Sequence, residues 1–384
     1  MDPTRHTVVV GGGIAGLSVA WQLARRGERR VTLLEREPQP GTHSTARNAQ
    51  IWLPTDDDET TGPLALRSAE AVTALLGAED AWLRRSGAVV LPSDPSAAEG
   101  LVRGAARGGL RARPLAPDAL LARSPILRDS PLLRGGPARG EPAYLVEGAG
   151  ILDPHAMVTA LARAAKAAGV RLELGAGARG LRIEAGAVRA VEREDGEALT
   201  CDEAVIAAGA WAGALGRTAG VEVPLVPLRR HLVVLEADPR RAGGTVWRFG
   251  PGEVYWRPES GGVLASPCDE EVFDPCLPAA DPRALEALAR ALEPVAPALV
   301  DAPVRTKWAC LRTYAHDREL VLGPDPRVEG LAWLAGLGGR GMTVGVGAAA
   351  LCADAMDGAP REATDARVLA LTRPDRAQPD ALDG

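Results

Sequence analysis

The segment Val8-Val9-Val10-Gly11-Gly12-Gly13-Ile14-Ala15-Gly16 constrains this chain more than any other. It is followed by Glu35, at the end of the apolar run Val31-Thr32-Leu33-Leu34. Three consecutive valines suit a strand buried on both faces of a parallel sheet. Gly11 and Gly13 allow a tight turn and close approach of backbone to a pyrophosphate. Gly16 lets the next helix pack on the sheet, and that helix presents its N-terminus to the phosphate charge. Glu35 stands where a carboxylate binds the two hydroxyls of a ribose. The glycine pattern alone is weak, but strand, glycines, helix and terminal acid in register describe a dinucleotide-binding unit. The plainer alternative is a glycine-rich turn in an ordinary α/β domain.

Composition narrows the class without choosing the dinucleotide. A chain of 384 residues is long enough for two domains with separate cores. Its net charge of -6 and the lack of a basic stripe argue against a nucleic-acid partner. No apolar run approaches the roughly 20 residues that span a bilayer. The amino terminus enters the first strand almost at once, so a cleaved leader is not expected. The five cysteines, Cys201, Cys268, Cys276, Cys310 and Cys352, have neither metal-ligand spacing nor the pattern of a disulfide framework. The expectation is a cytoplasmic protein without a metal site.

Along the chain, a polar stretch from Gly41 to Gln50 follows the first unit, and helical periodicity from about Leu64 to Leu83 ends at Gly87. Residues 88–142 are rich in arginine and proline and read as an insertion. Asp153-Pro154 opens a helix with an acidic N-cap and proline at its first position, stopping at Gly169. A buried strand, Ala204–Ala207, ends in Ala208-Gly209-Ala210-Trp211, a second glycine turn. From Val223 to Arg312 the pattern turns to antiparallel strands, with a helix near Pro282–Leu292. A last strand, Leu331–Leu334, leads into Gly338-Gly339-Arg340-Gly341 and a small-residue helix over about Met342–Met356. The fold class is therefore α/β (α+β overall). A Rossmann-like nucleotide domain comes from separate segments (1–87, 143–222 and 313–364), and an antiparallel-sheet substrate domain from 88–142 and 223–312. Residues 365–384 read as a polar tail.

Three glycine turns spread along one chain favour a cofactor embraced along its length. With these motifs, and with Gly150-Ile151-Leu152-Asp153-Pro154, the chain resembles the D-amino-acid oxidase and glycine/sarcosine oxidase superfamily of FAD enzymes. The run Leu34-Glu35-Arg36-Glu37 to Gly41-Thr42-His43-Ser44-Thr45-Ala46-Arg47 is most similar to D-arginine dehydrogenase-like members. So are Pro227-Leu228-Arg229-Arg230 and Trp308-Ala309-Cys310-Leu311-Arg312.

The resemblance implies FAD, held by Gly11, Gly13, Ile14, Ala15, Gly16, Glu35 and Arg36 at the adenosine end. Ser44, Thr45 and Arg47 would lie along the phosphates and the flavin edge, with Ala208, Gly209 and Trp211 beside them. Gly338, Gly339, Arg340, Gly341, Met342 and Thr343 would form the turn at the flavin N1–C2 carbonyl. There a helix N-terminus stabilises the charge gained on reduction, and Arg340 would add a full positive charge. The alternative for Arg340 is a solvated surface position.

For substrate, the resemblance makes Arg312 a carboxylate clamp over the flavin, a role that suits the planar guanidinium fork. Arg230, and less directly Arg229, would form a second clamp, and Tyr255 would hydrogen-bond the same carboxylate. Trp247, Trp256 and Trp308 are candidate pocket walls, the alternative being ordinary core. The implied chemistry is oxidation of the C–N bond of an amino acid, with a D-amino acid leading, by hydride transfer from Cα to flavin N5. The imino acid then hydrolyses to a 2-oxo acid. Oxidation of a secondary amine such as an N-methyl or cyclic amino acid is the nearest rival. A flavoprotein subunit of a larger electron-transfer complex is a third reading, and a nicotinamide-binding protein without flavin a fourth.

Departures from the D-arginine dehydrogenase pattern bear on substrate. Asn48-Ala49-Gln50-Ile51-Trp52-Leu53 replaces a stretch bearing histidine and hydroxyl groups, which points to a more apolar pocket and away from a long cationic substrate. Cys310 falls where monomeric sarcosine oxidases bond the flavin 8α-methyl, in a similar Cys310-to-Asp317 octet. Non-covalent FAD is favoured, with a Cys310 linkage as the alternative. Gly262-Val263-Leu264-Ala265 lacks the lysine those oxidases use to activate oxygen, which favours a dehydrogenase. The electron acceptor (quinone, dye or O2) and the oligomeric state stay open.

Overall fold

The computed structural model describes residues 5–133, 142–358 and 362–376. Arg5–Val10 and Arg29–Glu35 are adjacent parallel strands joined by the helix Ile14–Ala24, the right-handed unit that the valine run and glycines require. They sit inside a six-stranded sheet. On one side of the pair lies Arg171–Leu174. On the other lie Glu203–Ile206, Leu331–Ala335 and, antiparallel at the edge, Val321–Pro324. Strands buried on both faces need cover on both. One face packs under the helices Ile14–Ala24, Thr61–Leu76, Pro154–Ala167 and Gly341–Met356. The other packs under the meander Ala178–Glu184, Ala187–Arg193 and Ala198–Thr200 and the helix Ala212–Thr218.

Two helices of the first face meet closely at Gly347, whose N–H donates to Ser68 Oγ at 2.8 Å. A Cβ there would fall 2.2 Å from the Leu64 carbonyl oxygen, so only glycine permits this crossing. The Pro154–Ala167 helix begins as expected, with Asp153 accepting the Ala156 N–H at 2.9 Å.

The second large sheet has nine strands. Its spine is Leu225–Leu235, paired along its whole length with Val304–Ala315. On its other edge it pairs with Gly262–Ser266 and Glu271–Val272. The sheet continues through Val254–Glu259, Thr245–Arg248, Ala88–Leu91, Tyr144–Glu147 and Arg111–Pro114. All these pairs are antiparallel except Thr245–Arg248 with Ala88–Leu91. The helix Arg283–Leu292 covers its back.

Several boundaries differ from the sequence expectation. The helix expected to reach Leu83 ends at Leu76, because Gly77 at φ 83° closes it in the left-handed region. The residues before Gly87 are instead the short strand Leu83–Arg85. Tyr144–Glu147 belongs to the antiparallel sheet, whereas Gly150 and Ile151 pair with Trp52 and Ile51 in a separate small sheet. Part of the expected polar tail is the helix Ala363–Thr372, docked by buried Val368 and by a 3.0 Å ion pair from Arg67 to Asp365. Residues 377–384 of that tail lie outside the described residues.

Candidate active site

A single groove runs along the carboxyl ends of the parallel strands and under the antiparallel sheet. It is lined at one end by Glu35 and Arg36, then by Gly11–Ala15, Ser44, Thr45 and Ala208–Trp211. At the other end come Arg312, Tyr255, Gly338, Gly339, Gly341, Met342 and Thr343. The topology explains the position, since ligands of such sheets bind where neighbouring strands lead off in opposite directions.

At the first end the glycines are required by contact. Gly11 has φ 110°, and a Cβ on it would meet the Ala207 carbonyl oxygen at 2.5 Å. A Cβ on Gly16 would lie 1.7 Å from the Gly11 carbonyl oxygen. Glu35 Oε2 accepts the Gly12 N–H at 2.5 Å and Oε1 the Glu37 N–H at 2.9 Å, which fixes the carboxylate at the groove floor. Thr45 Oγ1 accepts the Ile14 N–H at 3.0 Å. The N-cap residue Gly13 offers no side-chain cap and no acid lies in the first turn of the Ile14–Ala24 helix, so beyond the Thr45 contact its positive end stays available to an anion. Trp211 is sandwiched in place by Arg36, 4.9 Å above its ring, and His43, whose ring meets it edge-on at 4.9 Å.

At the other end Gly338 (φ 51°) turns the chain after Leu331–Ala335, and its N–H donates to the Thr313 carbonyl at 2.9 Å. A Cβ on Gly338 would sit 2.2 Å from the Tyr314 ring, and one on Gly339 2.5 Å from an Arg312 guanidinium nitrogen. The glycine turn is thus moulded onto the Val304–Ala315 strand. The helix Gly341–Met356 begins there, again without a side-chain cap or an acid in its first turn.

Arg312 is 9% exposed and makes no ion pair or hydrogen bond among the described residues. Tyr255 is fully buried with no geometrically formed hydrogen bond to its hydroxyl. The neighbouring Ser266 hydroxyl donates to the His231 carbonyl instead. Burial pushes the Tyr255 phenol up, so it stays a donor at neutral pH. Trp247 lies against Tyr255, with centroids 4.7 Å apart, stacks on Phe249 at 5.1 Å and donates its indole N–H to Glu253 at 2.7 Å. Cys310 is buried and borders the same groove.

Other expected residues are elsewhere. Arg230 lies outside the groove, ion-paired to Glu270 at 2.7 Å, and Arg229 pairs with Glu271 and with Asp281 at 2.9 Å while covering Phe273. Arg340 is neither at the groove nor solvated. Its guanidinium is held by Asp58 and Thr61, each at 2.6 Å, and by the Arg318 carbonyl at 2.7 Å. Of the tryptophans, Trp247 lines the groove, Trp256 is core, and Trp308 is tied to the Arg47 carbonyl at 3.1 Å. Trp52 is also core, packed edge-on against Trp82. Ser44 donates to the Leu311 carbonyl and Arg47 to the Ala309 carbonyl at 3.1 Å, so both brace the strand that carries Arg312. The lining also includes Cys276, Leu277 and Pro278, from a connection with no motif to announce it.

These residues fit FAD. The groove is elongated and accepts an extended dinucleotide, with one open helix end for its pyrophosphate and a second for the electron-rich edge of the flavin. A family model described as FAD dependent oxidoreductase (DAO) matches residues 6–355. The chain is 26% identical over 348 residues to the uncharacterized oxidoreductase YurR of Bacillus subtilis, covering 88% of this chain and 91% of that protein. It is 26% identical over 275 residues to human mitochondrial dimethylglycine dehydrogenase, covering 69% of this chain but only 31% of that much longer protein. Among solved structures, L-proline dehydrogenase from P. horikoshii superposes with a TM-score of 0.81 over 97% of this chain and 98% of that one, at 21% identity. The chain belongs to the DAO family and is an FAD-dependent amino-acid or amine oxidoreductase.

Proposed function

We propose that the chain oxidises the C–N bond of an amino acid, a D-amino acid first, to the imino acid. The observation that carries this reading is Arg312, a buried guanidinium at the end of the groove with no counter-ion among the described residues. Such a charge is costly unless an anion completes it, and a substrate carboxylate matches its fork. FAD, when bound, supplies the hydride acceptor. Arg312 would bind both carboxylate oxygens and the unpartnered Tyr255 hydroxyl would donate to one of them. Two fixed contacts on one carboxylate leave little freedom at Cα, and that positioning is most of what hydride transfer needs. Ile51 and Trp247 border the same end and keep it dry. The imino acid takes up water after release, giving a 2-oxo acid and ammonia.

Oxidation of a secondary amine is supported by the relatives, whose names include human mitochondrial sarcosine dehydrogenase, 27% identical over 371 residues. Anaerobic bleaching of the bound flavin by a panel of D-, L-, N-methyl and cyclic amino acids tests both. Fast bleaching by primary D-amino acids supports the first reading, and bleaching only by N-substituted ones replaces it with the second. Failure of every carboxylate-bearing amine, with simple amines active, removes Arg312 as a clamp. Cys310 borders the groove, and flavin left in the supernatant after acid precipitation establishes non-covalent binding.

A further inference from the structure

We propose that residues 269–281 form a strap that retains FAD in the groove, and that His231 and Arg229 are its positioning residues. The inference needs the family's cofactor and is independent of which amine is oxidised.

The sequence divides this segment by charge. Asp269-Glu270-Glu271 opens it and Asp281 closes it, whereas Pro275-Cys276-Leu277-Pro278-Ala279-Ala280 between them carries no charge. The three acids meet Arg229-Arg230-His231 of the Leu225–Leu235 strand in antiparallel order. Asp269 lies 2.5 Å from His231 Nδ1 and accepts the His231 backbone N–H at 3.0 Å. Glu270 pairs with Arg230 at 2.7 Å, and Glu271 pairs with Arg229. The returning limb uses two of the same side chains. His231 Nε2 accepts the Asp281 N–H at 2.9 Å, which puts the ring proton on Nδ1, facing Asp269. Arg229 pairs with Asp281 at 2.9 Å. One buried imidazole and one buried guanidinium thus hold both feet of the strap.

The uncharged span borders the cofactor groove. Cys276, Leu277 and Pro278 line it, and Leu277 is 54% exposed, so it has apolar surface for a ligand to cover. Pro275 and Pro278 fix their own φ and disfavour helical backbone at Asp274 and Leu277. A span stiffened in this way loses little further freedom when a ligand seats against it. The Phe273 N–H donates to the Pro227 carbonyl at 3.0 Å, and Pro227 is in register with Thr313, whose carbonyl holds the Gly338 turn. The strap therefore leaves the sheet level with the flavin end of the groove. Its charges are satisfied at the feet, and its span meets the cofactor by apolar contact alone.

Release of FAD from the holoenzyme, followed by the rise in flavin fluorescence on dilution, tests the inference. Leu277→Ala should release FAD about three- to tenfold faster, the effect of losing roughly half a leucine's burial. His231→Ala unties both feet and should speed release by at least about tenfold. The double variant should be no faster than His231→Ala alone, because an unseated strap no longer presents Leu277 to the cofactor. Multiplied effects would mean that His231 acts on the fold at large, and would overturn its positioning role. Bound FAD should also slow alkylation of Cys276 by iodoacetamide at least about tenfold against the apoprotein, a signal identified by its loss in Cys276→Ser. Parental release from Leu277→Ala overturns the strap, and so does equal alkylation with and without FAD. These two measurements decide the matter if His231→Ala does not fold. A raised KM for the amine in Leu277→Ala with unchanged FAD release assigns the span to substrate and overturns retention.

Discussion

Replacing Arg312 by methionine separates a ligand-binding cation from a structural one by the sign of two effects. Methionine keeps most of the apolar stem and removes the charge. In the free protein Arg312 is 9% exposed without an ion pair, so its charge carries a desolvation cost of about several kcal/mol that no partner offsets. Arg312→Met should therefore leave the melting temperature of the holoprotein unchanged or raise it by a few degrees. Ligand binding should move the opposite way. Truncating one member of a buried, hydrogen-bonded charge pair costs about 2–5 kcal/mol, which is roughly a 30- to 3000-fold loss in carboxylate affinity. The assay is titration of benzoate or acetate against the flavin absorption band, beside calorimetry of the same samples. A variant that melts lower and binds carboxylates as tightly as the parent refutes the argument, since that is the signature of a cation the fold uses for itself.

Further outcomes follow from other contacts in the structure. Gly16→Ala places a methyl 1.7 Å from the Gly11 carbonyl oxygen, and should abolish FAD retention during purification, whereas Glu35→Gln should weaken FAD by only about 10- to 100-fold in a fluorescence titration. Arg340→Met breaks the contacts to Asp58, Thr61 and the Arg318 carbonyl, so it should cost about 2–5 kcal/mol in a denaturant titration while leaving the flavin midpoint potential unmoved; a shifted potential with unchanged stability would restore Arg340 to the flavin. Asp269 is buried, which alone would raise its carboxyl, but the His231 ring and backbone N–H hold it below the usual carboxylate range. A depressed folded pKa contributes stability above about pH 4 that is lost as pH falls through the folded value. Thermal unfolding from pH 5 to 3 should fall less steeply in Asp269→Asn than in the parent, and parallel profiles would remove Asp269 from that account.

The nucleotide end of the site is legible in sequence because its determinants are local. Val8–Gly16 and Glu35 lie within one strand–helix–strand unit, and Gly11, Gly12 and Gly16 answer contacts inside that unit or with Ala207 just past the next strand. The chemistry end is not local. Arg312 has no neighbouring motif that marks it, and resemblance alone drew attention to it. Its burial without a counter-ion appears only once the strands are paired. The misplacement of Arg340 has the same origin, because its partner Asp58 is 282 residues away. Arg230 sat plausibly beside Arg229 in a basic pair, but Glu270 and Glu271 on the neighbouring strand and its lead-in claim both. Trp256 is ambiguous in sequence for the ordinary reason that large aromatics serve as core and as pocket wall equally well.

The strand Val304–Ala315 pairs residue for residue with Leu225–Leu235 over nearly its full length. Cys310, Arg312 and Tyr314 occupy alternate positions on it, so one face of one strand supplies Cys310 and Arg312 to the groove and sets the Tyr314 ring under the Gly338 turn. Shifting that register by a single residue would turn that face over and carry all three away from the places they hold. The site can therefore change what it recognises by exchange of single side chains along this ribbon, but not by gaining or losing a residue within it. Relatives with new substrates should differ here in letters and never in length.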